Sequence, residues 1–401
     1  MICDRHYVRR CIHCWFDQRL ALPPVKKRII YLDQFVFSNM MKELDPANVG
    51  VVNTGSDGFY LTLFKTLDRL SKLQLIVCPD SPLHDHESVV DTRYEKIRAV
   101  FRQLSHDVSF RDPRTMLHAQ IMRAFDCWMG GEPCLADSSW DFALTRNPHV
   151  WRDRYRIELN CILPGFAAAL RTKNIVVTQR LREVCKEWRE DPTFSFRETF
   201  ENELAGHWRQ ILEQFARYTA RFAAVHLGYA PFDDEVCFPP AALVLVTRMM
   251  TKLAPTFPNM DERIARIREF FISEHFRAVS GVRISALLWA TIARDINAGR
   301  KSDRFPKASM YNDIDAVAQY SPFCDAMFVD KEISHFTRQR ELQQELAGTA
   351  LFFSLRKNEK ADFIEYLRCI EADAPSEHIQ MVEEVYGRDW PTPFVDLLAD
   401  V

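Results

Sequence analysis

Four consecutive residues constrain this chain most. Ile29, Ile30, Tyr31 and Leu32 form an apolar run with no polar alternation, and they lead directly into Asp33. A strand open to water on one side alternates apolar with polar residues, whereas an unbroken apolar run describes a strand covered on both faces, as in a parallel sheet flanked by helices. Asp33 then falls at the carboxyl end of that strand. In open α/β sheets, ligands gather just outside the carboxyl ends of the strands, so an acid there is placed either to hold a cation or to cap the helix that starts near Gln34.

The pattern recurs. Leu73 to Pro79 (LQLIVCP) is a second apolar run, and it leads into Ser81 and Pro82, a helix-start signal with Ser as N-cap and Pro in the first turn. His84 and Glu87 then lie three apart on one face of the new helix. Much further on, Asn312 to Ala318 opens a short helix carrying Asp313 and Asp315, and Cys324 to Asp330 is a third apolar run that ends in an acid. Thr349 to Leu355 (TALFFSL) suits a last strand.

These pieces, taken in order, resemble the PIN-like nuclease family: the strand ending in Asp (IIYLDQ), the segment with Pro79, Ser81, His84 and Glu87, the Ala-rich helix opening with Asp313, and the strand closing on Asp330. The match covers about half the chain in separate pieces. It implies a PIN-like parallel sheet flanked by helices, a metal-dependent nuclease activity with RNA as the usual substrate, and Asp33, Glu87, Asp313 and Asp330 as the acids that bind Mg²⁺ or Mn²⁺. Asp315 stands close enough in sequence to take the place of Asp313, and Asp325 that of Asp330. The chemistry agrees with the residue types. Phosphodiester hydrolysis needs a water deprotonated near neutral pH and relief of charge on the phosphoryl oxygens, which cations held by carboxylates supply. Mg²⁺ prefers hard oxygen ligands, and four converging carboxylates repel one another without a cation.

The 401 residues allow two or three domains, and a formal net charge of −3 argues against a general polyanion binder, so any nucleic-acid contact must come from a local basic patch. Only 12 glycines are present, with neither a dinucleotide fingerprint nor a Walker motif. No apolar run of about 18 residues occurs and the amino terminus has no signal-peptide core; the expectation is a soluble cytoplasmic protein with no membrane contact. Eleven cysteines, an odd number spread along the chain, read as reduced thiols.

Residues 1–27 read as a small zinc knuckle. Cys3, His6, Cys11 and Cys14 make two close ligand pairs of the kind a tetrahedral Zn²⁺ site uses, His13 could replace His6, and Arg5, Arg9, Arg10 and Arg19 would offer phosphate contacts. Residues 28–92 and 306–358 supply the α/β domain. Residues 93–305 read as a large helical insertion, with helices expected over Arg98–Leu104, Thr115–Trp128, Trp151–Lys173, Gln179–Arg189, Phe196–His226, Ala241–Leu253 and Met260–Phe276; it could serve as a lid, a specificity domain or a homo-oligomer surface. Residues 359–401 hold one or two amphipathic helices with no chemical motif. Inside the insertion, Arg221 and His226 have the Arg-x4-His spacing that resembles the HEPN ribonuclease motif, which implies metal-independent RNA cleavage as an alternative. Met260 to Arg304 carries a modest basic excess, suited to phosphate contacts or to a solvated, ion-paired helix face. A third alternative is a non-catalytic module on the same fold that binds nucleic acid or protein.

Overall fold

The computed structural model describes residues 2–3, 5–48, 58–89, 91–134, 139–153, 166–232, 234–299, 307 and 309–399. Three short antiparallel strands come first: β1 (Ile2–Cys3), β2 (His6–Arg10) and β3 (Asp17–Ala21), adjacent in that order. Their apolar side chains, Tyr7 and Leu20 among them, pack with Val382, Val385 and Tyr386 of the helix Ser376–Tyr386. Arg9 pairs with Glu384 of that helix at 2.9 Å. The amino-terminal segment therefore takes its shape from tertiary packing against the other end of the chain.

The apolar runs become the strands of a parallel sheet: β4 (Arg28–Leu32), β5 (Ile76–Val77), β6 (Ala326–Phe328) and β7 (Leu351–Phe353), in the order β5-β4-β6-β7. Tyr31 stands opposite Met327, and Phe328 opposite both Leu32 and Phe353. Period-two alternation sends successive side chains to opposite faces, and each face has its own apolar layer. Ile30, Leu32, Ala326 and Phe328 pack with residues of the helices Gln34–Leu44, Phe59–Lys72, Tyr94–Ser105 and Lys357–Ala372. Ile29, Tyr31, Met327 and Val329 pack with the helices Ser280–Asn297 and Ser309–Tyr320. With both faces covered, no strand position calls for a polar residue.

Between β5 and β6 the chain is helical. Phe196–His226 and Ala241–Leu253 form as their periodicity predicts. Met260–Phe276 divides into Met260–Phe271 and Glu274–Arg277, where Ser273 accepts the Phe276 amide as a new N-cap. The two helices expected over Trp151–Lys173 and Gln179–Arg189 differ from the structure: residues 154–165 lie outside the described residues, and a single helix spans Phe166–Glu190. Met116, Leu181 and Cys185 belong to the same apolar cluster as Ile29 and Tyr31, and the helix Ser280–Asn297 is buried along nearly its whole length. Part of the stretch 93–305 thus shares a core with the sheet, while Phe125, Leu204, Met249, Phe270 and their neighbours form a separate apolar cluster. The boundary expected at residue 359 falls inside the helix Lys357–Ala372, whose Phe363 and Leu367 help cover the sheet. No described helix is long and apolar enough to cross a membrane.

Candidate active site

The strand ladder brings Asp33 and Asp330 to the same sheet edge. The amide of Asp33 donates to the Phe328 carbonyl at 3.0 Å, and that of Val329 to the Phe353 carbonyl at 2.9 Å, so β4 and β6 end side by side. Each turns at once into a helix whose N-cap is the acid: Asp33 before Gln34–Leu44 and Asp330 before Lys331–Thr337. The two side chains behave differently. Asp330 accepts the Ile333 amide at 2.7 Å, an ordinary cap. Asp33, only 8% exposed, makes no cap hydrogen bond.

Glu87 arrives from the last turn of the helix Pro82–Ser88, which starts where Ser81 and Pro82 predict, with the Ser81 hydroxyl accepting the His84 amide. Asp313 arrives from the helix Ser309–Tyr320. The Asn312 side-chain amide donates to Glu87 at 2.8 Å and ties these two helices together. Glu87, Asp313 and Asp330 keep part of their surface in solvent, whereas Asp33 is buried.

Electrostatics shows that the four acids share one neighbourhood. Burial raises the Asp33 carboxyl well above its ordinary range, the charges of Glu87 and Asp330 raise it further, and the Gln34 and Phe35 amides oppose this only in part. Asp313 is raised well above that range by burial and then by Asp33, Glu87, Asp330 and Glu332. Glu87 is pushed up to about 6 by burial, with Asn312 opposing and Asp330 adding. Beneath them, the buried Tyr31 hydroxyl is raised by burial and by the charges of Asp33, Glu87 and Asp313, among others. Mutual raising of this kind is the signature of like charges held close together. Among the described residues, no three acids, histidines or cysteines are drawn into a ready-made cation cage. Glu87 turns to Asn312 and Asp330 to the Ile333 amide instead. The donor set is entirely carboxylate, which fits Mg²⁺ or Mn²⁺ better than a thiophilic ion.

The nearby acids separate cleanly from this group. Asp325 binds Arg28 at 2.7 Å and accepts the Ile29 amide at 2.8 Å, which puts it at the opposite, amino-terminal edge of the sheet. Asp315 stands about 200° around its helix from Asp313 and acts on Tyr320. Two participants escaped sequence reasoning. Asn312 gives no sign of its role except its place beside Asp313, and Glu332 reads only as an acid in the first turn of a helix, where the helix dipole favours one.

His84 takes no part in the acid cluster. It is 1% exposed, with its ring stacked between Tyr31 at 5.2 Å and Phe101 at 5.1 Å and the edge of Phe37 at 5.3 Å. Neither ring nitrogen has a hydrogen-bond partner, and burial lowers its pKa to about 3, with the Leu32 backbone offsetting little. The shared helix face that the spacing from Glu87 suggested does not bring His84 to the acids, because its ring is taken up in core packing.

Among the described residues, the ligand set expected for zinc with His6 is not drawn together. His6 opens β2 beside β1, whereas Cys11 and Cys14 sit in the turn at the far end of β2. Five residues of extended chain put about 16 Å between those ends, too far for ligands that must each lie about 2 Å from one ion. The Cys3 side chain lies outside the described residues. Of the arginines around it, Arg9 pairs with Glu384 and Arg10 with Asp17 at 2.7 Å.

Arg221 and His226 lie at the distal end of the helix Phe196–His226, which is about 45 Å long. The Arg221 guanidinium donates to the Pro231 carbonyl at 3.3 Å, and the His226 ring lies parallel to Phe222. The basic stretch from Met260 to Arg304 is largely occupied by internal pairs: Arg277 with Glu201 at 2.6 Å, Arg283 with Glu345 at 2.6 Å and Arg294 with Glu341 at 2.9 Å. Arg300, Lys301 and Arg304 lie outside the described residues. In comparisons with known proteins, the chain matches no family model, no curated protein and no solved structure.

Proposed function

We propose that the protein is a divalent-metal-dependent nuclease of PIN-like design that hydrolyses phosphodiester bonds, with Asp33, Glu87, Asp313 and Asp330 as its metal-holding acids. The observation that carries the reading is the gathering of these four carboxylates, each drawn from a different chain segment, at the carboxyl edge of a parallel sheet, where burial and then neighbouring acid charges, that of Asp330 among them, raise Asp33, Glu87 and Asp313. A fold gains no stability from crowding like charges; a bound cation would offset the repulsion, and perturbed acids that keep part of their surface in solvent are a mark of a functional site. Bound Mg²⁺ or Mn²⁺ would lower the pKa of a water and offset charge on the phosphoryl oxygens. The chain's own contribution is positional. Asp33 is fixed by the β4–β6 ladder, Asp330 by its cap, and Glu87 by Asn312, so the acids enter the reaction with little left to order. RNA as the preferred polymer comes from the family resemblance.

The test is cleavage of labelled single-stranded RNA and DNA by the purified protein with Mn²⁺, with Mg²⁺ and with EDTA, alongside Asp33→Asn. Cleavage that needs both the metal and Asp33 supports the reading and identifies the polymer. A fully active Asp33→Asn variant, or cleavage undiminished in EDTA, would refute it.

A further inference from the structure

A groove of about 760 Å³ is lined by five cations, Lys331, which directly follows Asp330 in the chain, and Arg356, Lys357, Lys360 and Arg368. Its position follows from the strand register. Phe353 pairs with Phe328, so Leu355 leaves the sheet at the same edge as Asp330, and Lys331 is the next residue after that acid. The floor is Phe59 with Ile364 and Leu355, and the Phe59 ring packs on Phe328 at 5.9 Å, two residues before Asp330. Lys357, Lys360, Ile364 and Arg368 recur at three- and four-residue spacings along the helix Lys357–Ala372, which places them on one face.

The charges of this wall are only partly answered from within. Arg368 meets Glu365 at 3.6 Å and Arg356 meets the buried Glu359 at 3.8 Å, while Lys360 sits over the Phe59 ring at 4.8 Å. Asp362 is the remaining acid of the lining. Lys331 and Lys357 form no ion pair among the described residues. In a chain of net charge −3, a concave cationic strip set against a group of carboxylates is unusual, because the two would neutralise each other more cheaply in direct contact.

We infer that this groove holds the phosphodiester backbone of a single-stranded nucleic acid and leads it to the carboxylates, with Lys331, Lys357, Lys360 and Arg368 contacting successive phosphates. The inference rests on the nuclease reading. A cationic groove that tracks a backbone is how single strands are held without base readout, and lysines give point-charge phosphate contacts that specify no sequence. The binding is therefore sequence-tolerant and salt-sensitive.

The test is fluorescence anisotropy of a labelled single-stranded oligonucleotide with the full-length protein in EDTA, so that binding is read without cleavage. Lys357→Gln/Lys360→Gln/Arg368→Gln is compared with wild type and with a charge-matched control on the helical layer, Arg217→Gln/Arg248→Gln/Arg268→Gln, and thermal melts check that all three fold. The expected result is a binding-salt slope about 2 shallower for the groove variant, from about 0.7 for each single-strand phosphate that is no longer neutralised, and affinity lower by about tenfold at low salt, with the control unchanged. Equal affinity and slope in the groove variant and wild type overturn the inference, as does an equal loss in the control. In the same preparations, Asp33-dependent cleavage with Mn²⁺ separates the two readings. Cleavage with unchanged groove binding removes the groove and leaves the nuclease, whereas salt-sensitive groove binding without cleavage removes the nuclease reading and leaves a binding surface.

Discussion

Replacing Glu87 by Gln gives a stability change whose sign differs from that of most substitutions at a half-buried polar site. The folded carboxyl has its pKa pushed up to about 6 from an ordinary 4.5, so the folded state holds a proton more tightly than the unfolded state. Stability is then highest below pH 4.5 and falls as pH rises through 6, where the carboxyl must ionise in a buried site and beside Asp330. At about 1.4 kcal/mol for each tenfold change, the penalty at pH 8 is about 2 kcal/mol. Gln removes the charge and keeps an oxygen to accept from Asn312. Urea unfolding in EDTA should show Glu87→Gln more stable than wild type by about 2 kcal/mol at pH 8, with the difference closing towards pH 4.5. Mn²⁺ should narrow or reverse the gap, because a ligand at 100 times its Kd adds about 2.7 kcal/mol to the protein that binds it. A variant less stable than wild type at pH 8, or a gap independent of pH, would show that Glu87 is held as a favourable partner and is under no repulsion.

Other perturbations read other parts of the structure. His84 has a pKa lowered to about 3 from 6.5, so protonation opposes folding as pH falls from 6.5 to 3, withdrawing up to about 5 kcal/mol; His84→Leu should match wild type within about 1.5 kcal/mol at pH 7 and resist acid unfolding at pH 4, and equal acid sensitivity in the two would count against the buried imidazole. Phe328→Ala should cost about 3–5 kcal/mol in denaturant unfolding, since the ring touches Phe59, Phe35 and Phe363; a loss under about 1 kcal/mol would contradict this packing. His226→Ala should leave any cleavage rate unchanged, and a large loss would return attention to the Arg221 and His226 pair.

How far the sequence could be read depends on whether the deciding contact was local. The strands were legible because both faces of each are covered, which leaves an unbroken apolar run in the sequence at Ile29–Leu32 and again before Asp330. The four acids could be singled out because each follows such a run or sits at the start or end of a helix. What stayed hidden was spatial. The spacing of His6, Cys11 and Cys14 gives no hint that an extended strand holds the histidine away from the cysteines. The sequence could not choose between phosphate contacts and ion pairs for the arginines after Met260, because their partners, Glu201, Glu341 and Glu345, lie tens of residues away. The groove lysines were hidden for the converse reason: Lys331 and Lys357 come together only through the register of β6 and β7, and the helix that carries Lys357 has no motif of its own. Asp313 and Asp315 are equivalent in sequence, and only the helix's rotation against the sheet turns one towards Glu87.

The measurement that bears most directly on the central claim is the Mn²⁺ dependence of cleavage across a set of single substitutions: Asp33→Asn, Glu87→Gln, Asp313→Asn and Asp330→Asn, with Asp315→Asn and Asp325→Asn as controls. The account predicts that each of the first four loses at least about a hundredfold in rate or demands much more Mn²⁺, while the two controls stay within a few-fold of wild type. Loss of activity in the controls as deep as in the four, or a wild-type rate in Asp33→Asn or Asp313→Asn, would contradict the claim that these carboxylates form the catalytic centre.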